Sequence, residues 1–377
     1  MRAPKPALSL SRLSVTNGNF LARWFPVPEI LYPRSAGIDI SDASIKWLAL
    51  NASEAQERIA SWGEEPLPPG VVVEGIVRDV SALAAALGNV KKKLGNVSRA
   101  HAALPEEAAY IFDMHVPEES SRKSILSMIE FELEARVPIP PGEAVYDFDN
   151  IEKHDDGAGT QIGVVVFQRE LAENYVAAFN MAGIKLLSLE VEARSVARAI
   201  SGRENDPVTL VVDFGRMRTG FAILKRGVPI FSSTVSVGGV TMTHTLIEKA
   251  SLTPEDAEKF KDEKGLLIKE GEKNPGSEIL VATASALADE VVRHYRYWDT
   301  RRNEHGERVT PVKSVLLVGG SANLKGLSDY ISARVQAPAA LPNVWRHVCS
   351  FDEYIPPIDR QTSMQYATAI GLALRGI

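Results

Sequence analysis

The chain has 377 residues, 45% hydrophobic and 24% charged, with a formal charge of −6; that is room for two globular domains of ordinary size and no global pull toward nucleic acid. A single cysteine, Cys349, excludes an internal disulfide and suits a reducing compartment, while seven scattered histidines without ligand spacing argue against a zinc site. No apolar run is long enough to span a bilayer, and Pro, Asn, Gly and Arg interrupt the first residues before an apolar segment builds up, so the expected location is the cytoplasm.

Residues 1–35 read as a basic and aromatic leader. Arg2, Lys5, Arg12, Arg23 and Arg34 face only Glu29, and Phe20, Leu21, Trp24 and Phe25 cluster in its second half. A partly disordered segment whose aromatics pack on the first domain is expected in preference to one lying on an anionic membrane. From residue 36 strands and helices alternate. Strands are predicted at 36–41, 45–51, 56–62 and 71–76, followed by a helix over "DVSALAAALGNVKKKLG", with Asp79 or Ser81 as its cap and Gly95 as its stop, and a strand at "RAHAALP".

At about residue 106 the composition shifts. A strand "AYIFDMHVP", a helix with Ile125, Ile129, Leu133 and Val137 on one stripe, two strands around "DDGAG", and a helix "RELAENYVAAFNMAG" form a compact inserted unit over about 106–182. "IKLLSLEVEARSVARAI" then resumes the first domain, which spans 36–201. "GRENDP" is a polar linker and the expected boundary, so the second domain spans 202–377. It opens with strands in "VTLVVDFG", "TGFAILKRG" and "VPIFSSTVSVGG". Helices near 240–250, 254–262 and 278–302 follow, the last with Leu280, Ala284, Leu287, Val291, Tyr295 and Trp298 on one face. A strand "VKSVLLVGG", a helix "NLKGLSDYISARV" and a final helix "SMQYATAIGLALRG" close the chain.

The two domain openings share a design. "GIDISDASIKWLAL" and "VVDFGRMRTGFAIL" each run apolar residues into an aspartate (Asp39, Asp213) and one further apolar residue. A small residue (Ser41, Gly215), a polar turn ending at a hydroxyl (Ser44, Thr219) and an apolar return strand follow. A carboxylate among isoleucines is costly unless something binds it. A small residue at a hairpin tip exposes backbone N–H groups that cradle phosphate, and two carboxylates converging on a cleft can hold hydrated Mg²⁺. Such self-similarity indicates a duplicated domain. Two glycine pairs add close backbone approach: Gly319–Gly320 after a buried strand, and Gly238–Gly239 before a helix.

This ordered set resembles the actin-like ATPase superfamily, and within it the type IV pilus assembly protein PilM family. The narrower likeness lies in "EFELEARVPIP" before "VYDFDNI", "VPIFSSTVSVGG", "EDAEKFKDEKG" and "YATAIGLALRG", and it covers nearly all of residues 36–377. The resemblance implies an α/β fold of the actin-like kind: two duplicated domains around a nucleotide cleft, with a small inserted subdomain of the SHS2 type. Asp39, Ser41 and Ser44 look like phosphate-1 residues, and Asp213, Gly215 and Thr219 like phosphate-2 residues. Gly319, Gly320 and Ser321 look like the adenosine loop, with Gly238 and Gly239 as a further loop of this kind. Glu192 stands where the superfamily often has a residue that orients water. The implied ligands are ATP and Mg²⁺, the metal held by Asp39 and Asp213 through water. Two departures from the superfamily pattern, Ser41 in place of glycine and Arg216 and Arg218 in a loop usually made of small residues, favour binding over hydrolysis.

The function implied is that of a binding module at the cytoplasmic face of the type IV pilus inner-membrane platform. It would dock the N-terminal cytoplasmic peptide of a PilN-type membrane partner between the first domain and the inserted unit, with Ile129, Leu133, Val137 and Ile139 as part of the slot wall. Membrane association is then peripheral, through that partner and other platform proteins. The alternative is a membrane-associated, filament-forming scaffold like FtsA, which should end in an amphipathic helix, whereas this chain ends at "LALRGI". A small-molecule kinase of the same superfamily would need an acceptor-site carboxylate, for which only Asp147 and Glu192 come forward.

Overall fold

The computed structural model describes residues 34–51, 58–154, 159–202, 207–267, 275–302 and 308–376. Most of the leader, the centre of the linker and the tip of the "DDGAG" turn therefore lie outside the described residues. Strand β1 (Ala36–Ile40) pairs antiparallel with β2 (Ser44–Asn51), and β2 with β3 (Arg58–Pro66). On its other side β1 pairs parallel with β6 (Arg99–Leu104), which pairs parallel with β10 (Lys185–Val191). The second sheet repeats this plan. Here β11 (Thr209–Phe214), β12 (Thr219–Lys225) and β13 (Val228–Val235) form the antiparallel meander, and β14 (Ser314–Val318) and β15 (Ala339–Ala340) add in parallel beside β11. The orders β10-β6-β1-β2-β3 and β15-β14-β11-β12-β13 match position for position. The likeness first visible in two hairpins thus extends over five strands.

Where the backbone departs from expectation, the cause is local. Residues 71–76 are not one strand but the ends of a small hairpin, β4 (Val72–Val73) and β5 (Ile76–Val77), because Glu74 (φ 52°) and Gly75 (φ 71°) are left-handed. Helix α1 (Val80–Leu94) starts and stops as predicted: the Asp79 carboxylate accepts from the Ala82 amide at 2.9 Å, and Gly95 ends the helix at φ 62°.

The inserted sheet has the order β7-β9-β8, from β7 (Tyr110–Val116), β8 (Ala144–His154) and β9 (Gly159–Gln168). Helix α2 (Arg122–Arg136) buries Ile125, Ile129 and Leu133, with Val137 just beyond it, against Phe112, Met114, Ile162 and Val164. The proposed slot wall is therefore the unit's own core, with Ile139 partly buried beside it. Helix α3 (Arg169–Ala182), expected to complete this unit, instead packs on α1. Its Leu171, Tyr175, Ala178 and Phe179 join the core of the first sheet.

The two five-stranded sheets are joined by a third core. Helix α4 (Glu192–Ile200) contributes Ala193, Val196 and Ala197, and the first sheet contributes Leu48 and Leu50. The second sheet contributes Val211, Ala222 and Val318, and helix α10 (Ala367–Ala373) contributes Ala369 and Ile370. On the second sheet's outer side, α5 (Gly239–Ala250), α6 (Pro254–Glu263), α7 (Pro275–Thr300) and α8 (Leu327–Val335) cover a separate core. The predicted stripe on α7 is buried at Leu280, Ala284, Leu287, Val291 and Trp298, while Tyr295 keeps its hydroxyl on the Val312 carbonyl at 3.0 Å. α8 begins later than expected because Gly326 (φ 81°) is left-handed. The last helix is divided: α9 (Arg360–Ser363) and α10 flank a 3-10 turn whose Met364 carbonyl accepts from the Gly319 amide at 3.1 Å.

α10 touches backbone on both sides. A Cβ at Gly37 in β1 would lie 2.1 Å from the Ala369 carbonyl oxygen, and one at Gly371 only 1.8 Å from the Ser195 carbonyl oxygen in α4. Gly371→Ala should therefore drive α4 and α10 apart and destabilise the chain by roughly 1–3 kcal/mol, read as a lower urea midpoint at unchanged slope.

Candidate functional site

The two antiparallel hairpins meet at their tips. The β1–β2 turn is closed by Ser41, whose amide donates to the Ser44 carbonyl at 2.9 Å and whose hydroxyl donates to the same oxygen at 3.0 Å and accepts from the Ser44 amide at 3.2 Å. In the β11–β12 turn the Gly215 amide donates to the Arg218 carbonyl at 3.0 Å. Ser41 and Gly215 are thus equivalent, but both amides are used within their own turns and are not free to cradle a ligand. The strand registers, Ile40 with Ile45 and Phe214 with Thr219, make Arg218 the counterpart of Ser44, one residue earlier than the sequence comparison implies.

A cleft of about 510 Å³ opens between the tips. Asp39, Ser41, Ser44, Glu192, Asp213, Gly215, Gly319, Gly320 and Ser321 all line it. Thr219, Gly238 and Gly239 do not. Thr219 is fully buried and donates to the Val237 carbonyl at 2.6 Å. The Gly215 carbonyl accepts from the Gly239 amide at 3.0 Å and from the Ser321 hydroxyl at 3.1 Å. A Cβ at Gly239 would fall 2.2 Å from Ser321 Oγ, and one at Gly238 2.4 Å from the Arg216 carbonyl oxygen. These glycines let three loops lock together behind the cleft. Gly319, at φ 88°, lets Asp213 approach: a side chain there would meet Asp213 Oδ1 at 2.4 Å.

The cleft is acidic. Asp39, Asp42, Glu64, Glu106, Glu107, Glu192 and Asp213 line it against Lys46, Arg216 and Arg218. Burial pushes Asp39 up to about 6, opposed by Lys46 directly across the hairpin. Burial, together with the charge of Asp39, pushes Asp213 up to about 6 as well. Glu106 and Glu192 are driven well above the usual carboxylate range by burial and by these neighbouring acids. Glu106 Oε1 is buried without a hydrogen-bond partner. Such a set of oxygen donors fits a hard cation, although among the described residues no group of three or more Asp, Glu, His or Cys is close enough to chelate one directly.

Several residues of the site escaped the sequence reading. Lys46 was legible in principle, since a tight turn after Asp39 places a residue of β2 opposite it. Glu106 and Glu107 follow β6 and enter the cleft only because β6 lies parallel beside β1. On α6, Lys261 donates to the Gly239 carbonyl at 3.3 Å, to Thr243 at 2.7 Å and to Glu258 at 2.8 Å. The "EDAEKFKDEKG" stretch thus supports the glycine loop. Asp147 lies elsewhere, exposed on β8 and paired with Arg122 at 2.6 Å.

Two like-ordered sheets with paired hairpins facing one cleft define the actin-like ATPase fold, and solved structures agree. The chain is similar to a PilM-PilN type IV pilus biogenesis complex (TM-score 0.74, 22% identity, 91% of this chain and 98% of that one). It is also similar to the ethanolamine utilization protein EutJ from Carboxydothermus hydrogenoformans (TM-score 0.53, 18% identity, 91% and 89%). A third likeness is to MreB5 of Spiroplasma citri bound to ADP (TM-score 0.51, 12% identity, 90% and 95%). The family model of the type IV pilus assembly protein PilM matches residues 37–377, and the chain belongs to that family.

The raised carboxyls carry a stability signature. Between about pH 4 and pH 6 the folded chain retains protons on Asp39 and Asp213 that the unfolded chain has released, so stability falls as pH rises through that window. Without added nucleotide or divalent cation, Asp213→Asn should raise unfolding stability at pH 7.5 by roughly 1–3 kcal/mol. The advantage should vanish near pH 4, as urea titrations at the two pH values would show.

Proposed function

We propose that the cleft binds ATP with Mg²⁺ and that the chain serves as the actin-like cytoplasmic component of the type IV pilus inner-membrane platform, held at the membrane by the N-terminal peptide of a PilN-type partner. In this reading the two halves divide near residue 202, and the first half carries the inserted unit. One observation carries the nucleotide reading: Asp39 and Asp213, from two equivalent hairpins, enter one cleft beside Gly319–Gly320. Asp39 and Asp213 would hold Mg²⁺ through water, and the ion would supply the positive charge that so acidic a cleft needs to accept phosphate. Arg216, which also lines the cleft, supplies a second cation from the β11–β12 turn. Gly319, Gly320 and Ser321, which line the cleft, are the adenosine loop in this reading. Glu192 stands at the start of α4, where burial and the neighbouring acids disfavour its charged form, so less of it is ionised to take a proton from water. Slow or absent hydrolysis follows.

Among the described residues no helix is long and apolar enough to cross a membrane, which accords with attachment through a partner. The inserted unit offers a surface for it. Ser124, Ser127, Met128, Phe131 and Glu132 on one flank of α2 line, with Met114 of β7, a groove of about 410 Å³, and Phe131 is 84% exposed. An exposed aromatic beside methionines is the kind of surface a short peptide uses as an anchor point.

Calorimetry should detect ATP uptake with Mg²⁺ and lose it in EDTA. Asp213→Ala should weaken it about tenfold or more. Phosphate release at saturating Mg-ATP should stay well below about 1 s⁻¹; brisk release abolished by Asp213→Ala would overturn the inert-ligand reading. Phe131→Asp should weaken binding of the partner's N-terminal peptide about tenfold or more while leaving the thermal melt in place. Unchanged affinity would remove this groove from the interface.

A further inference from the structure

Arg218 is already engaged in the structure. Its guanidinium, on the β11–β12 turn of the second half, crosses the cleft to Asp42 in the β1–β2 turn and to Glu107 after β6, both in the first half. All three side chains are about one-fifth exposed and line the cleft. The two ends of this clasp differ. Asp42 also accepts from the amides of Glu74 at 3.1 Å and Gly75 at 3.0 Å. That turn is fixed to the core by the Tyr175 hydroxyl, which donates to the Gly75 carbonyl at 2.8 Å. The carboxylate end is therefore anchored and keeps two donors if the arginine leaves. The guanidinium end is a long side chain on a loop with an exposed Met217.

We infer that Arg218 is the residue through which this cleft tells a nucleoside triphosphate from a diphosphate. Without ligand it clasps the halves together through Asp42 and Glu107, and a terminal phosphate takes it from Asp42. Arginine suits this exchange because its planar fork pairs equally well with carboxylate and phosphate. Asp42 bears the exchange at low cost, since its two backbone donors leave it satisfied. The anchored Asp42 carboxylate thus sets a threshold: an anion displaces it only if it carries charge to the place where Arg218 sits, and in this proposal the terminal phosphate of a triphosphate does so. The inference rests on the nucleotide reading of the cleft and adds a specificity residue to it.

Calorimetric titration of Mg-ATP and Mg-ADP into the whole chain, its Arg218→Gln variant and its Asp42→Asn variant tests it. In Asp42→Asn the side-chain amide oxygen can still accept from one of the two amides of the Glu74–Gly75 turn while the charge that holds Arg218 is gone, and a thermal melt of that variant checks that it folds. The expected result is a preference for ATP over ADP in the native chain, reduced roughly tenfold in Arg218→Gln through loss of ATP affinity alone, and increased in Asp42→Asn. If both variants bind the two nucleotides with the native ratio and differ only in thermal melt, Arg218 is a strut between the halves and the inference fails. If the native chain takes up neither nucleotide, the nucleotide reading fails and the inference with it. Arg218→Lys keeps the charge without the fork; a native ATP to ADP ratio in that variant would refute the part played by the fork.

Discussion

Two aspartates from opposite halves share one buried, poorly solvated space, and much of the structure serves to keep them there. Asp39 and Asp213 resist ionisation because burial removes water from them, with Lys46 opposing the effect at both, Glu64 adding to it at Asp39 and the charge of Asp39 adding to it at Asp213. Left alone, the halves would relieve this repulsion by separating. They are held instead by the third core, in which α4 and α10 lie between the sheets with glycine contacts too close for any side chain. The acidic cleft is thus a place where folding free energy is spent to create a site that a cation-bearing anion can neutralise.

The same core explains why loops distant in sequence act as one. The Met364 carbonyl just before α10 accepts from Gly319, and Ser321 bonds the Gly215 carbonyl that Gly239 also reaches. The chain end, the β14 loop and the second hairpin therefore form a continuous hydrogen-bonded wall. Gly238, Gly239 and Thr219 belong to its rear surface. Their residue types are dictated by close approach and by an inward-facing hydroxyl, which in the sequence alone looks identical to ligand contact.

That distinction marks what was legible. The strand and helix plan, the duplicated hairpins and nine of the site residues could be read because each rests on local pattern: alternation, caps, glycines and the order of motifs. Three kinds of feature could not. Glu106 and Glu107 enter the cleft only through the parallel pairing of β6 with β1, which no short-range signal encodes. The equivalence of Arg218 with Ser44 needed strand register, and a one-residue offset changes which side chain points into the cleft. The stripe on α2 has the same helical period whether it faces its own sheet or a partner, so periodicity identified the apolar face without saying what covers it.

Strand β12 connects the cleft to the inserted unit. At one end the preceding turn carries Arg218 to Asp42 and Glu107. At the other, Lys225 binds Glu152 and donates to Gln161 at 2.7 Å, and Gln161 donates to Asp113 at 2.7 Å, so the strand's far end is tied to β7, β8 and β9 together. Just beyond, the Gly227 carbonyl accepts from Arg194 at 2.6 Å, and Arg194 also holds Asp149 of β8 at 2.8 Å. Gly163 of β9 lies so close to Val228 that a Cβ would come within 2.7 Å of it. Between these ends run seven residues of mostly buried strand, roughly 20 Å, paired with β11 from Thr219 to Leu224 and with β13 through an irregularity at Ile223–Leu224. One strand therefore bears both the turn that faces the cleft and the anchor of the sheet that carries α2. The inserted unit is thus fixed to the same strand whose preceding turn carries Arg218 into the cleft, and both attachments are made by charged side chains: Arg218 at one end and Lys225 at the other.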